Sequence, residues 1–114
     1  LGPIVDAEWA LFHLRRALWD PVDPRRLGSL DPTLQIRVNG EVYRFASPRT
    51  LERFVRAPAL WSGLLRDPVS GRRFLPSARS PEAWWVGGPY FFESDSTKAR
   101  FVEDPHRYQV IRRM

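Results

Sequence analysis

The chain contains no cysteine, which excludes disulfide bonds and every thiolate metal site, zinc or iron–sulfur. Histidine is nearly as scarce. His13 and His106 are the only two, and neither stands in a nucleophile or metal-ligand motif. There is no Gly-rich phosphate loop, because Gly87-Gly88 sits where a hairpin turn is expected and is followed by Pro89. No apolar run approaches the ~20 residues that span a bilayer. Residues 1–20 carry Asp6, Glu8, Arg15 and Arg16 where a secretory signal would need its apolar stretch. These absences predict a soluble, cytoplasmic chain that is not an enzyme and holds no cofactor.

What is present is globular in composition: 114 residues, 43% hydrophobic and 27% charged, enough for one ordinary domain or two very small ones. The net charge is +5, carried almost wholly by arginine, with Lys98 the single lysine. It is spread along the chain, with residues 1–19 neutral, 20–66 at +3 and 67–114 at +2. A dispersed excess makes a weaker electrostatic footprint for nucleic acid than a basic stripe does.

Sliding residues 20–66 onto 67–113 without a gap aligns fifteen identities, where unrelated segments would share about three. They include Asp20/Asp67, Pro21/Pro68, Val22/Val69, Gly40/Gly87, Tyr43/Tyr90, Phe45/Phe92, Ser47/Ser94, Thr50/Thr97, Phe54/Phe101 and Pro58/Pro105. Each unit reads as one supersecondary module. In the first, "LQIRVNGEVYRF" alternates apolar and polar residues about Asn39-Gly40, a strong hairpin signal. Ser47 then reads as a helix N-cap with Pro48 in the first turn, and the helix is expected to bury Leu51, Phe54 and Val55 before Pro58 stops it. The second copy repeats this with "AWWVGGPYFF", the cap Ser94, a helix through Phe101 and Val102, and a stop at Pro105.

Ahead of both units, residues 1–19 predict a helix with Asp6 as N-cap and Glu8 in the first turn. Its two apolar arcs, one of Leu11, Leu14 and Leu18 and the other of Val5, Trp9, Phe12 and Trp19, suit a wedge between two surfaces. The expected fold is therefore α+β: a leading helix (1–19) and two tandem units (20–66 and 67–114), each a turn, a β-hairpin and a short helix, forming one small domain.

Residues 67–108 resemble the YHS domain, a small treble-clef-like metal module. Asp67-Pro68-Val69-Ser70-Gly71, Tyr90-Phe91-Phe92-Glu93-Ser94, Thr97, Phe101 and Asp104-Pro105-His106-Arg107-Tyr108 fall on the pattern of that family, and residues 20–61 resemble it more faintly. Where the family places its cysteine ligands, this chain has Ser70, Glu93 and Thr97 in the second unit and Asp23, Ala46 and Thr50 in the first. The resemblance thus implies a degenerate, cysteine-free metal site, and no metal is expected. A structural zinc supplies about 10–16 kcal/mol of apparent folding free energy, so some other interaction must take over. The candidates are joining the two units and burying the aromatics Trp61, Trp84, Trp85, Tyr90, Phe91, Phe92, Phe101 and Tyr108.

The function expected from this reading is a non-catalytic binding or assembly module that contacts a protein partner or a second copy of itself. Trp84 and Trp85 are adjacent on a predicted strand and point to opposite faces, so one of them is a candidate anchor. An alternative is a basic nucleic-acid-binding module using the paired arginines Arg25, Arg26, Arg72 and Arg73. A second alternative, implied by the resemblance, is a residual metal-handling role.

Overall fold

The computed structural model describes residues 18–110. The expected leading helix falls almost entirely on residues 1–17 and so lies outside the described residues, as does His13. Of its last residues, Trp19 forms an isolated antiparallel bridge with Leu27.

The described chain is mixed α and β, with small antiparallel two-stranded sheets and short helices. A 3₁₀ turn (Pro32–Leu34) is capped by Asp31. It leads into the hairpin of β1 (Gln35–Val38) and β2 (Glu41–Arg44), paired Ile36 to Tyr43 and Val38 to Glu41. Helices α1 (Pro48–Arg56) and α2 (Pro58–Trp61) follow. Two-residue strands β3 (Leu65–Arg66) and β4 (Arg73–Phe74) flank the turn that holds Ser70. The hairpin of β5 (Glu82–Trp85) and β6 (Gly88–Phe91) then leads to α3 (Asp95–Glu103) and α4 (Pro105–Tyr108). The counterparts β1 and β5, β2 and β6, α1 and α3, α2 and α4 each begin 47 residues apart.

Local chemistry explains the boundaries. Asn39 (φ 51°) and Gly40 (φ 79°) are both left-handed, as a tight hairpin with right-twisted strands requires. Ser47 and Ser94 sit at the same extended φ/ψ (−154°, 161°), and each hydroxyl accepts a hydrogen bond from the N–H of the threonine three residues on. Pro58 and Pro105 behave differently from expectation. The preceding helices close at Ala57 and Asp104, and each proline opens a further turn of helix, α2 or α4, where its missing N–H costs nothing. Val55 and Val102, expected in the core, are exposed, and only Phe54 and Phe101 of those helix faces are fully buried.

The turns opening the two halves differ by one residue. Asp67 N–H bonds to the Arg72 carbonyl, whereas Asp20 N–H bonds one residue further on, to Arg26. Gly71 takes φ 75°, and the aligned residue is Pro24, whose ring fixes φ near −65° and cannot follow.

Two apolar clusters result. One joins Val38, Tyr43, Phe45, Phe54 and Leu65 to Phe91, and the other gathers Tyr90, Phe92 and Phe101. Alternation along β6 divides it between them: Tyr90 turns to one cluster and Phe91 to the other. The aromatic contacts recur in both, with Tyr43–Phe54 and Tyr90–Phe101 centroids 5.4 and 4.7 Å apart and Phe45–Phe54 and Phe92–Phe101 5.0 and 5.2 Å.

The halves meet along β1 and β6. Arg37 N–H donates to the Gly87 carbonyl (3.3 Å) and Asn39 N–H to the Pro89 carbonyl (3.0 Å), the step of a parallel ladder. Pro89 has no N–H to return, so the ladder runs in one direction only. A Cβ on Gly88 would collide with the Arg37 carbonyl oxygen, so this close approach needs glycine. The Asn39 side chain completes the junction. Its Oδ1 accepts from Phe91 N–H (2.7 Å), while Nδ2 donates to the carbonyls of Phe91 (3.0 Å) and Arg66 (2.9 Å).

Candidate functional site

The six positions suggested as former ligand sites are brought together in threes, each set around a buried aspartate. Asp67 Oδ1 accepts from the N–H groups of Val69 (2.8 Å) and Ser70 (3.1 Å), and Oδ2 from Glu93 N–H (3.0 Å) and the Thr97 hydroxyl (2.6 Å). Asp20 does the same with Val22 (2.8 Å), Asp23 (3.1 Å), Ala46 (2.9 Å) and Thr50 (2.5 Å). Both aspartates are fully buried. A buried carboxylate persists only when its lone pairs are taken up, and here each one ties a turn, the end of a hairpin and the first turn of a helix to a single point. Burial pushes the Asp20 carboxyl upward, but the hydroxyl of Thr50 and the N–H groups of Ala46, Val22 and Asp23 outweigh it and hold it below the ordinary aspartate range.

These centres do not fit a metal. Backbone N–H groups line them, and a cation needs lone pairs from its surroundings. The side chains are engaged elsewhere: Ser70 Oγ accepts from Arg72 N–H, Thr97 Oγ1 donates to Asp67, and Glu93 is paired with Arg72. Among the described residues, no group of three or more His, Asp or Glu could hold a metal ion.

The two halves differ just outside these centres. In the second, Glu93 Oε1 accepts from Arg72 Nε (3.0 Å) and Nη2 (2.6 Å), with the glutamate side chain only 17% exposed. In the first, the aligned residue is Ala46, and Arg25 is 93% exposed with only a loose 3.8 Å contact to Asp23. A cavity of about 430 Å³ lies there, lined by Asp23, Arg25, Arg26, Ser47, Arg49, Thr50 and Arg53. The four arginines singled out from sequence are thus not one surface: Arg25 and Arg26 border this cavity, Arg72 is committed to Glu93, and Arg73 lies in β4 opposite Arg66.

Comparison with protein-family models, with curated proteins and with solved structures yields no match.

The tryptophan pair divides between the faces of β5. Trp85 packs on the second cluster, donates Nε1–H to Gln109 (3.1 Å) and meets the edge of His106. Trp84 points outward and is 62% exposed. Glu82 shares its face of β5 and also lines an apolar groove of about 650 Å³ between α2 and the β4–β5 loop, bordered by Pro58, Leu60, Leu75 and Pro76 and floored by Phe91. Leu60 and Leu75 are each 73% exposed. Sequence reasoning missed this groove, because Leu60 and Leu75 have no periodic partner and lie in connections between the predicted elements.

Among the described residues no helix is long and apolar enough to cross a membrane. His106 is exposed on α4.

Proposed function

We propose that this chain is a non-catalytic binding and assembly module: two tandem YHS-like units, 20–66 and 67–114, in which a buried aspartate holds together the segments that a metal would hold in the family, and which bind another protein. The observation carrying the protein-binding part is the pair of exposed leucines, Leu60 and Leu75, that border a preformed groove, with the exposed Trp84 on the same face of β5 as Glu82 of its lining. Exposed leucines around a concavity, with a tryptophan alongside, are the make-up of a binding hot spot and its surround. The tandem arrangement draws support from fifteen ungapped identities, from counterpart elements 47 residues apart, and from the two carboxylate centres with matching partners.

A photo-crosslinker placed at position 75, followed by purification of the captured protein and titration of that protein, tests the proposal. Binding should fall at least about tenfold with Trp84→Ala or Leu75→Ser and be unchanged by Lys98→Ala. The nucleic-acid alternative draws on Arg25 and Arg26. Submicromolar affinity for a generic RNA or DNA at physiological salt, with no protein captured at position 75, would put that alternative first.

A further inference from the structure

The basic cavity beside the first carboxylate centre has an occupied counterpart in the same molecule. In the second half a glutamate carboxylate, that of Glu93, sits against Arg72 close to the buried Asp67. In the first half the buried aspartate, the threonine and the knuckle arginine are all present as Asp20, Thr50 and Arg25, but Ala46 provides no carboxylate. Arg26 and Arg49 stand at the same opening with no ion-pair partner among the described residues, and Arg53 reaches it from α1 while its guanidinium lies 5.7 Å from the Trp61 ring. We propose that this cavity receives a glutamate or aspartate side chain from an acidic segment of a protein partner, held by Arg25 and its neighbours as Arg72 holds Glu93. This deepens the reading above, resting on the equivalence of the two units, and adds a second contact away from the apolar groove.

A carboxylate is favoured over a phosphate by the company at the site. Asp23 lines the cavity and the charged Asp20 lies beneath it. These carboxylates offset part of the charge of the four arginines, and the second half holds a carboxylate in the matching place against the matching arginine. A guanidinium and a carboxylate also pair well geometrically, with charge-assisted hydrogen bonds.

The test is titration of the whole chain with an acetylated oligoglutamate peptide, followed by amide chemical shifts and by fluorescence anisotropy. Oligoglutamine, inorganic phosphate and a single-stranded oligonucleotide serve as competitors. Wild type should bind oligoglutamate and not oligoglutamine, with shifts centred on Arg25, Ser47 and Thr50. Arg25→Ala should weaken binding about tenfold. Ala46→Glu should abolish it by supplying the carboxylate internally, while Ala99→Glu, which adds the same charge on exposed α3, should leave it intact. Glu93→Ala should open a second equivalent site. Melting temperatures of all variants confirm that each remains folded. Unaltered binding by Ala46→Glu, or phosphate or oligonucleotide displacing the peptide at lower concentration, would overturn the proposal. Trp84→Ala should not change peptide binding, so a failed groove and a failed basic cavity give different results.

Discussion

Asn39 is the residue whose replacement most directly tests how the two halves are joined. The residue is 3% exposed, and its side chain spends all three of its bonds on main-chain groups of the second half and of β3: Phe91 N–H, the Phe91 carbonyl and the Arg66 carbonyl. Replacement by alanine strands those three groups. Each unsatisfied buried group costs about 1–3 kcal/mol, so the three together cost about 3–9 kcal/mol, while the strain of φ 51° is carried by asparagine and alanine alike. The expected loss of about 3–9 kcal/mol is a large share of the roughly 5–15 kcal/mol available to a small domain. Asn39→Gly removes the backbone strain and should recover about 1 kcal/mol of this. Asn39→Asp keeps the shape but sets an oxygen against two carbonyls, so it should be at least as damaging at neutral pH. Its cost should shrink as acidification protonates the new carboxyl and restores a donor. Urea unfolding of the three variants measures all of this. If Asn39 served only the hairpin turn, glycine would be neutral within about 1 kcal/mol. That result, or an alanine variant within about 1 kcal/mol of wild type, would refute the reasoning.

Three further outcomes are expected. The folded-state pKa of Asp20 lies below that of an unfolded aspartate, about 3.9, so its stabilisation is fully present above that value and is lost as pH falls through the folded pKa. Asp20→Asn, which turns a donor toward Ala46 N–H and the Thr50 hydroxyl, should cost about 3 kcal/mol at pH 7 and flatten the acid limb of a stability–pH curve. Gly88→Ala should cost at least ~3 kcal/mol or prevent folding, because the new methyl meets the Arg37 carbonyl. Gly71→Ala meets open space and should cost only the ~1 kcal/mol of its positive φ; thermal melts of the pair decide this. Trp85→Ala should lose about 2–3 kcal/mol in urea titrations, whereas Trp84→Ala should stay within about 0.5 kcal/mol, since only the former is packed and hydrogen-bonded.

Much of the local structure was legible because single residues dictate it. Asn39-Gly40 marked its hairpin, Ser47 and Ser94 their helix starts, and the alternation along Glu82–Trp85 required the two tryptophans to part. What escaped was tertiary. Asn39 read as a turn residue, and nothing local announces that its amide reaches residues 66 and 91. Phe91 and Arg44 occupy matching strand positions, yet one enters the core of the other half and the other pairs with Gln35, a difference visible only once β6 lies beside β1. The aspartates were visible as matches but not as centres, because four acceptor contacts from segments up to 30 residues apart leave no spacing signature. At the six positions where the resemblance would place ligands only residue identities could be read. Side-chain direction, which decides whether lone pairs or N–H groups face the centre, could not.

The placement of Phe91 has a consequence for the molecule's birth. A chain leaving the ribosome delivers residues 20–66 first, but the cluster they build around Tyr43, Phe45 and Phe54 is incomplete until residue 91 arrives to fill it and occupy the Asn39 amide. The early half must therefore wait with apolar surface uncovered, the state in which nascent chains are held by chaperones or lost to aggregation. Any message truncated between the two halves would yield a product that cannot hide its interior, so such fragments should be cleared soon after synthesis.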